Sequence, residues 1–131
     1  MNWVYENKEF ELIDESLFCF VYLITNLIDG RKYIGKKLFY THKYTTKKGK
    51  RKKIKIESDW KDYWSSSEEL KSDVEKLGKE NFKREILYLC KNKGTANYIE
   101  AREQMDKRVL ESSEYYNSII NCRVHRKHIR L

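Results

Sequence analysis

An unbroken run of hydrophobic and β-branched residues, FCFVYLIT, occupies positions 18–25. Such a run predicts a strand that is buried on both faces. Asp-Gly at 29–30 predicts a hairpin turn, and positions 31–35 predict the returning strand. The pattern therefore indicates a β-hairpin that carries Tyr22 and Tyr33 on adjacent strands.

Apolar residues with helical spacing return further along the chain and predict a first helix over 65–77. Ser65 or Ser66, each followed three residues later by Glu, is expected to form a capping box at its start. Gly78 occupies the position at which glycine usually ends a helix.

A third strand and a second helix are predicted next. Positions 82–90, FKREILYLC, predict the strand, and Thr95 is the expected cap of a helix that runs to about Leu110. Glu100 is predicted on the solvated face of this helix, opposite an apolar stripe that consists of Tyr98, Ala101, Met105 and Val109.

The order of these elements predicts the α+β class, with a small antiparallel three-stranded sheet flanked by helices. A length of 131 residues, of which 40% are hydrophobic, fits one domain over positions 1–131. That domain carries a basic insertion at 36–55 and a basic C-terminal tail at 118–131.

Positive charge is concentrated in the insertion. The net charge is +8, yet positions 36–55 contain ten Lys or Arg and no Asp or Glu. This excess predicts a polyanionic partner, nucleic acid first and an anionic membrane surface second. A solvated, mobile loop is the alternative. The cations expected to contact the DNA backbone are Lys37, Lys43, Lys47, Lys48, Lys50, Lys52, Lys53 and Lys55.

Other features narrow the class of protein. No apolar run is long enough to span a bilayer, and the N-terminus lacks the layout of a signal peptide. We therefore expect a cytoplasmic protein without a membrane partner or a small-molecule cofactor. Cys19 and Cys90 lie in apolar runs, which predicts buried, reduced thiols. The sequence leaves the oligomeric state open.

The tyrosine pair of the hairpin is a candidate for chemistry. Near-opposite positions on paired strands bring Cβ atoms within about 5 Å of each other, so Tyr22 and Tyr33 can meet at one water molecule. Lys36 and Lys37 follow directly and are expected to lower a phenol pKa or to bind a phosphate. Cross-strand packing of the two rings is the alternative.

Val-Tyr at 21–22, followed after ten residues by Tyr-Ile-Gly at 33–35, resembles the signature of the GIY-YIG endonuclease family. The second half of the motif is intact, whereas Phe20 stands where the first half usually has Gly. The resemblance continues through the first helix and third strand to Tyr-Ile-Glu at 98–100 and Tyr-Asn at 116–117. It thus covers most of the chain.

The resemblance implies DNA hydrolysis with one divalent ion, Mg²⁺ or Mn²⁺. It implies that Tyr22 and Tyr33 orient or activate water. Glu100 matches the metal-binding glutamate, and Asn117 matches the family asparagine. The phosphate-binding arginine of the family has no clean match, and the candidates to replace it are Lys36, Lys37, His42, Lys43 and Arg51.

Two functions follow as hypotheses. The first is a metal-dependent DNA endonuclease, similar to compact phage-encoded homing-type enzymes and active in the host cytoplasm if phage-encoded. The second is a non-catalytic basic DNA-binding protein, a degenerate relative of the nucleases. The Phe20 departure and the missing arginine favour the second hypothesis, whereas the retained tyrosines, Glu100 and Asn117 favour the first.

Overall fold

The computed structural model describes residues 2–131, which form seven strands and two α-helices. The strands are β1 (Val4–Tyr5), β2 (Lys8–Glu9), β3 (Cys19–Asn26), β4 (Lys32–Leu38), β5 (Tyr40–Lys47), β6 (Lys50–Glu57) and β7 (Phe82–Cys90). The helices are α1 (Glu68–Leu77) and α2 (Lys93–Asp106).

Five of the strands form a mixed sheet in the order β2-β1-β7-β3-β4. Strand β3 lies between β7 and β4 and is antiparallel to both, which is the predicted three-stranded arrangement. The predicted sheet was too small, because β1 adds parallel to β7 and β2 pairs with β1. These two-residue strands are too short to show alternation. They are held by the buried Trp3 indole, which donates to the Trp60 carbonyl at 2.7 Å.

The two faces of the sheet bury different side chains. An aromatic layer covers one face and also packs against α1, whereas α2 covers the other face. Phe20 is fully buried in the aromatic layer, with its ring centroid 4.7 Å from that of Phe39. Phe20, which stands where the GIY-YIG motif usually has Gly, therefore contributes to the core, and Tyr22 keeps its place on β3.

Helix α1 begins later than predicted, and neither expected capping box forms. Its N-cap is Ser67, whose hydroxyl accepts a hydrogen bond from the Leu70 N–H. The Ser65 hydroxyl instead accepts from the Ser67 N–H at 3.1 Å, which makes a turn before the helix. The predicted end is confirmed: Gly78 has a φ of 93°, and its N–H donates to the Val74 carbonyl.

Helix α2 is rotated relative to the predicted stripe. Tyr98 and Met105 are exposed, and the buried face consists of Thr95, Ala96, Ile99, Ala101 and Gln104. Hydrophobicity alone does not indicate this face, because it includes the polar residues Thr95 and Gln104. The rotation turns Glu100 away from bulk solvent and towards the edge of the sheet, where its side chain is only 14% exposed.

The basic insertion is a β-ribbon and not a loop. Strands β5 and β6 pair antiparallel from Tyr40 opposite Glu57 to Lys47 opposite Lys50, around a turn with positive φ at Lys48 and Gly49. We call residues 40–57 the basic ribbon. Its dense charge concealed the strand pattern, and Lys36 and Lys37 belong to β4 instead.

Residues of the basic ribbon alternate between two faces. One face carries aromatic and cationic side chains together: Tyr40, His42, Tyr44, Arg51, Lys53 and Lys55. The other face carries Lys43, Lys47, Lys50 and Lys52 with Ile54 and Ile56. Every lysine of the basic ribbon is exposed, so the predicted backbone-contacting cations of the ribbon project into solvent. Lys37 was predicted with them but lies on β4, where it is half-buried and pairs with Asp59.

Two further expectations can be compared with the structure. Cys19 and Cys90 are buried, free thiols as predicted, whereas Cys122 is exposed. Within residues 2–131, no helix is long and apolar enough to cross a bilayer.

Candidate active site

Tyr22 and Tyr33 lie on the same face of the β3–β4 hairpin as diagonal neighbours. Tyr22 is opposite Gly35, and Tyr33 is opposite Ile24. The two ring centroids are 6.1 Å apart, and the ring planes differ by 29°. A Cβ on Gly35 would lie 2.5 Å from the Tyr22 hydroxyl oxygen and 2.8 Å from Cε1 of Tyr33. The glycine is therefore required because the Tyr22 ring occupies the space of its side chain.

Strand β4 is the last strand of the sheet, and side chains complete its outer edge. The Asn117 amide accepts from the Ile34 N–H at 3.1 Å and donates to the Ile34 carbonyl at 2.8 Å. Gln104 also donates to that carbonyl, at 2.9 Å. The Glu100 carboxylate accepts from the backbone N–H of Lys36. These three side chains act in place of a neighbouring strand and hold Glu100 beside the tyrosine hairpin.

Glu100 and the tyrosines share a cavity of about 260 Å³ at this edge of the sheet. The Lys36 ammonium lies 3.8 Å from Oε1 of Glu100. The structure thus brings together two phenols, a carboxylate from a distant helix and a cation. We call this cavity the glutamate pocket, and its lining includes Tyr22, Tyr33, Lys36, Tyr63, Ser66, Glu100, Gln104 and Asn121.

Burial dominates the electrostatics of the glutamate pocket. It raises the pKa of Glu100, and the nearby Lys36 ammonium offsets part of that rise. Burial also raises the pKa of Tyr22 well above its usual value, with further contributions from Tyr63, Tyr33 and Glu100. For Tyr33, burial and the Glu100 charge raise the pKa, although its hydrogen bond with Ser66 lowers it.

The expectation that Lys36 and Lys37 lower a phenol pKa is therefore wrong. Lys36 faces the Glu100 carboxylate, and Lys37 donates to Asp59 at 2.6 Å while its ammonium lies 4.1 Å from the centre of the Tyr63 ring. Burial is the largest cause of the raised pKa of both phenols. At neutral pH the phenols are protonated hydrogen-bonding groups.

One buried acceptor in the glutamate pocket lacks a partner. Gln104 is 4% exposed and donates from Nε2 to Ile34, but its Oε1 accepts no hydrogen bond from residues 2–131. A Mg²⁺ or Mn²⁺ ion prefers oxygen ligands and keeps several waters. The Glu100 carboxylate can supply one ligand, and the Gln104 oxygen can accept from a bound water. The residues present therefore fit a hydrated divalent ion.

The number of acidic ligands agrees with this interpretation. Residues 2–131 contain no group of three or more His, Cys, Asp or Glu side chains that could hold a metal by themselves. Any ion in the glutamate pocket would depend on one carboxylate, on water and on the substrate phosphate, which is a pattern that Mg²⁺ sites at phosphates often show.

Comparison with known proteins agrees with the geometry. The family model described as "Putative endonuclease segE, GIY-YIG domain" matches residues 3–120. The chain belongs to the GIY-YIG endonuclease family. It is similar to "Putative endonuclease segE" of Enterobacteria phage T4, with 32% identity over 102 residues, which are 77% of this chain and 40% of that relative. The chain therefore spans less than half the length of this relative. No solved structure matches the chain.

The other candidates for GIY-YIG site residues lie outside the glutamate pocket. His42 stacks on Phe18, with ring centroids 5.9 Å apart, and the Arg51 guanidinium lies 3.9 Å from the centre of the Tyr44 ring. Both belong to the basic ribbon. Of the candidates to replace the family arginine, Lys36 is the one that lines the pocket. Asn117 supports the β4 edge instead of lining the glutamate pocket.

Tyr63 and Gln104 line the pocket but were missed as site residues. Tyr63 lies in an aromatic segment that the sequence predicts to belong to the core or a lid, with stacking on bases as the alternative. Its carbonyl accepts from Arg84 at 2.8 Å, and the Arg84 guanidinium lies 4.3 Å from the centre of the Trp64 ring. No spacing in the sequence relates Tyr63 to Tyr22 or to Glu100, so the sequence held no signal that could identify it.

The close approach at Gly35 leads to a prediction for this GIY-YIG chain. Gly35→Ala should displace the rings of Tyr22 and Tyr33 and destabilise the fold by about 1–3 kcal/mol. The rate of DNA cleavage, measured well below the melting temperature, should fall strongly because both phenols move. Gly30→Ala is the matched control in the same hairpin: its φ is 83°, which is unfavourable for Ala, but no atom lies within 4 Å of the added Cβ. Cleavage by Gly35→Ala at the rate of Gly30→Ala would contradict the prediction.

Proposed function

We propose that the chain is a divalent-metal-dependent DNA endonuclease that hydrolyses a phosphodiester bond in the glutamate pocket. The observation that carries this proposal is the convergence of Glu100, Lys36 and the tyrosine pair at one edge of the sheet. These residues come from three separate parts of the chain. Packing of a core does not require a carboxylate with a raised pKa beside buried phenols.

Glu100 and Gln104 are the residues that would hold the ion and its water shell. A bound Mg²⁺ or Mn²⁺ ion would neutralise charge on the phosphate and make a nearby water more acidic. The pairing of Lys36 with Glu100 at 3.8 Å keeps the ammonium close to where the phosphate would lie. Lys36 thereby takes the role for which the family uses an arginine, as a point charge instead of a bidentate fork.

The two tyrosines have different roles in this proposal. Tyr33 is partly exposed, and its hydroxyl shares a hydrogen bond of 3.2 Å with that of Ser66, so it can orient the attacking water. Tyr22 is 1% exposed and packs against the rings of Tyr33 and Tyr63. Tyr22 therefore positions the accessible phenols, while Tyr33 and Tyr63 face the substrate.

The basic ribbon supports DNA as the substrate. Its lysines project from a hairpin of two eight-residue strands, and a two-stranded ribbon is narrow enough to enter the major groove of duplex DNA. Contacts between these lysines and phosphates would position the strand without reading its sequence. The phage source of the relative supports a homing-type role, which we include in the proposal.

Incubation of supercoiled plasmid with the protein tests the proposal. We expect nicked or linear product with Mg²⁺ or Mn²⁺ and no product in EDTA. Calorimetry measures the binding of Mn²⁺ to the protein in the absence of DNA, and this measurement does not depend on cleavage. Retardation of DNA without cleavage in either metal would overturn the proposal and support a non-catalytic DNA-binding protein.

A further inference from the structure

A second cavity, of about 300 Å³, lies next to the glutamate pocket. The two cavities share Lys36 and Asn121 in their linings. We call the second one the cation pocket, and it is lined by Lys36, Lys93, Asn97, Asn121, Cys122 and Arg123. A ligand that extends out of the glutamate pocket past Lys36 would enter it.

The lining of the cation pocket has the chemistry of an anion site. It contains three cations and two amides but no carboxylate. Lys36 is the one cation of the three with an acidic neighbour, at 3.8 Å, and Lys93 and Arg123 form no ion pair with residues 2–131. Like charges gathered without a counter-ion repel one another, so an anion between them relieves that repulsion.

Two features of the fold hold these cations in place. Lys93 is the first residue of the 14-residue helix α2, where the helix dipole also favours an anion. The tail that carries Arg123 is attached to the same helix end: Asn92 donates to the His128 carbonyl at 3.0 Å, and the Arg130 N–H donates to the Thr95 hydroxyl at 2.7 Å. The basic tail is thus docked on the fold beside the pocket.

We propose that the cation pocket binds a backbone phosphate of the DNA strand next to the phosphate held in the glutamate pocket. The inference rests on the proposed function, because that function supplies the strand. It assigns Lys93 and Arg123, which neither the motif nor the basic ribbon includes, to substrate binding. The pocket would fix the direction in which the strand leaves the site.

Salt dependence of binding is the first test, with an uncleaved duplex in EDTA. Each phosphate contact contributes about 0.9 to the slope of log affinity against log salt. The double variant Lys93→Gln/Arg123→Gln removes the contact with one phosphate and should therefore lower the slope by about 0.9. The matched control is Lys8→Gln/Lys79→Gln, which removes the same charge; Lys8 lies in β2, at the opposite edge of the sheet from β4. Equal slopes for the two double variants would overturn the inference.

Cys122 provides a second, independent measurement. It lines the cation pocket and is exposed, whereas Cys19 and Cys90 are buried, so iodoacetamide should modify Cys122 first. Saturating duplex should slow this reaction severalfold in the wild-type protein and less in the Lys93→Gln/Arg123→Gln variant. An unchanged rate with bound duplex would show that the strand does not pass over the pocket.

These outcomes separate the two proposals. Both measurements are made without metal and do not depend on cleavage. Normal cleavage with an unchanged slope and unchanged Cys122 reactivity would overturn the cation pocket alone. If the salt slope changes as expected and duplex protects Cys122, but neither metal supports cleavage, the endonuclease proposal would be overturned. The phosphate site in the cation pocket would then still be supported. No binding of duplex at all would overturn both.

Discussion

Glu100→Gln is expected to reduce the rate of DNA cleavage about 10³-fold or more, because an ion at this site contributes several kcal/mol and each 1.36 kcal/mol is tenfold in rate. Glutamine keeps the shape of the side chain and can still accept from the Lys36 N–H, but it lacks the charge that holds a cation. Binding of uncleaved duplex in EDTA should stay near the wild-type value. Single-turnover cleavage at saturating protein measures the effect.

The same variant should be more stable than the wild type at neutral pH. Burial raises the pKa of Glu100, so the folded state holds its proton more tightly than the unfolded state does. In the unfolded chain the pKa of Glu100 is about 4.3. The wild-type protein therefore loses stability as the pH rises above this value and through the raised pKa that Glu100 has in the folded state. Glutamine does not ionise and avoids this loss. Thermal unfolding without metal should show a higher melting temperature for Glu100→Gln at neutral pH and a smaller difference near pH 4.

Glu103→Gln is the matched control on the same helix. Glu103 accepts from the Tyr88 hydroxyl at 3.0 Å and pairs with Lys107 at 3.9 Å, outside the glutamate pocket. This control should cleave DNA like the wild type, and we expect Mn²⁺ to raise the melting temperatures of this control and of the wild type equally. Mn²⁺ should not stabilise Glu100→Gln. Full cleavage by Glu100→Gln, or equal losses in both variants, would contradict the assignment of Glu100.

Neutralising one face of the basic ribbon should have the second largest effect. Changing Lys43, Lys47, Lys50 and Lys52 to Gln removes four cations from one face. If each contacts a phosphate, the slope of log affinity against log salt should flatten by about 3.6. When the salt concentration rises fourfold, the wild-type affinity should therefore fall roughly a hundredfold more than the affinity of the variant. Fluorescence anisotropy with an uncleaved duplex, at a series of salt concentrations, measures the slope.

The opposite face provides the comparison. Changing Arg51, Lys53 and Lys55 to Gln removes three cations, two of which lie over tyrosine rings in the wild type, Arg51 over Tyr44 and Lys55 over Tyr40. The larger change of slope for each cation removed identifies the face that lies on DNA. The ribbon forms a two-stranded sheet that is separate from the five-stranded sheet, so both variants should have the melting temperature of the wild-type protein. Unchanged slopes for both faces would show that the ribbon does not touch DNA.

The local pattern of the sequence was sufficient for the central elements of the fold. The continuous apolar run of β3 and the 82–90 strand are where periodicity placed them, and Gly78 ends α1 as expected. The N-terminal strands and the ribbon could not be predicted as reliably. Two-residue strands have no period, and the alternation in β6 is concealed because lysine occupies both faces.

The sequence by itself determined which residues are candidates for the chemistry: Tyr22, Tyr33 and Glu100 were predicted from a motif and its order along the chain. Only the tertiary structure decided where Glu100 points, because the packing of the buried face of α2 against the sheet sets the rotation of the helix. Tertiary structure also decided the phenol pKa values, since burial is a property of the whole fold. Lys36, Gln104 and Tyr63 meet at one edge strand from distant positions, and no local pattern records a contact of that kind.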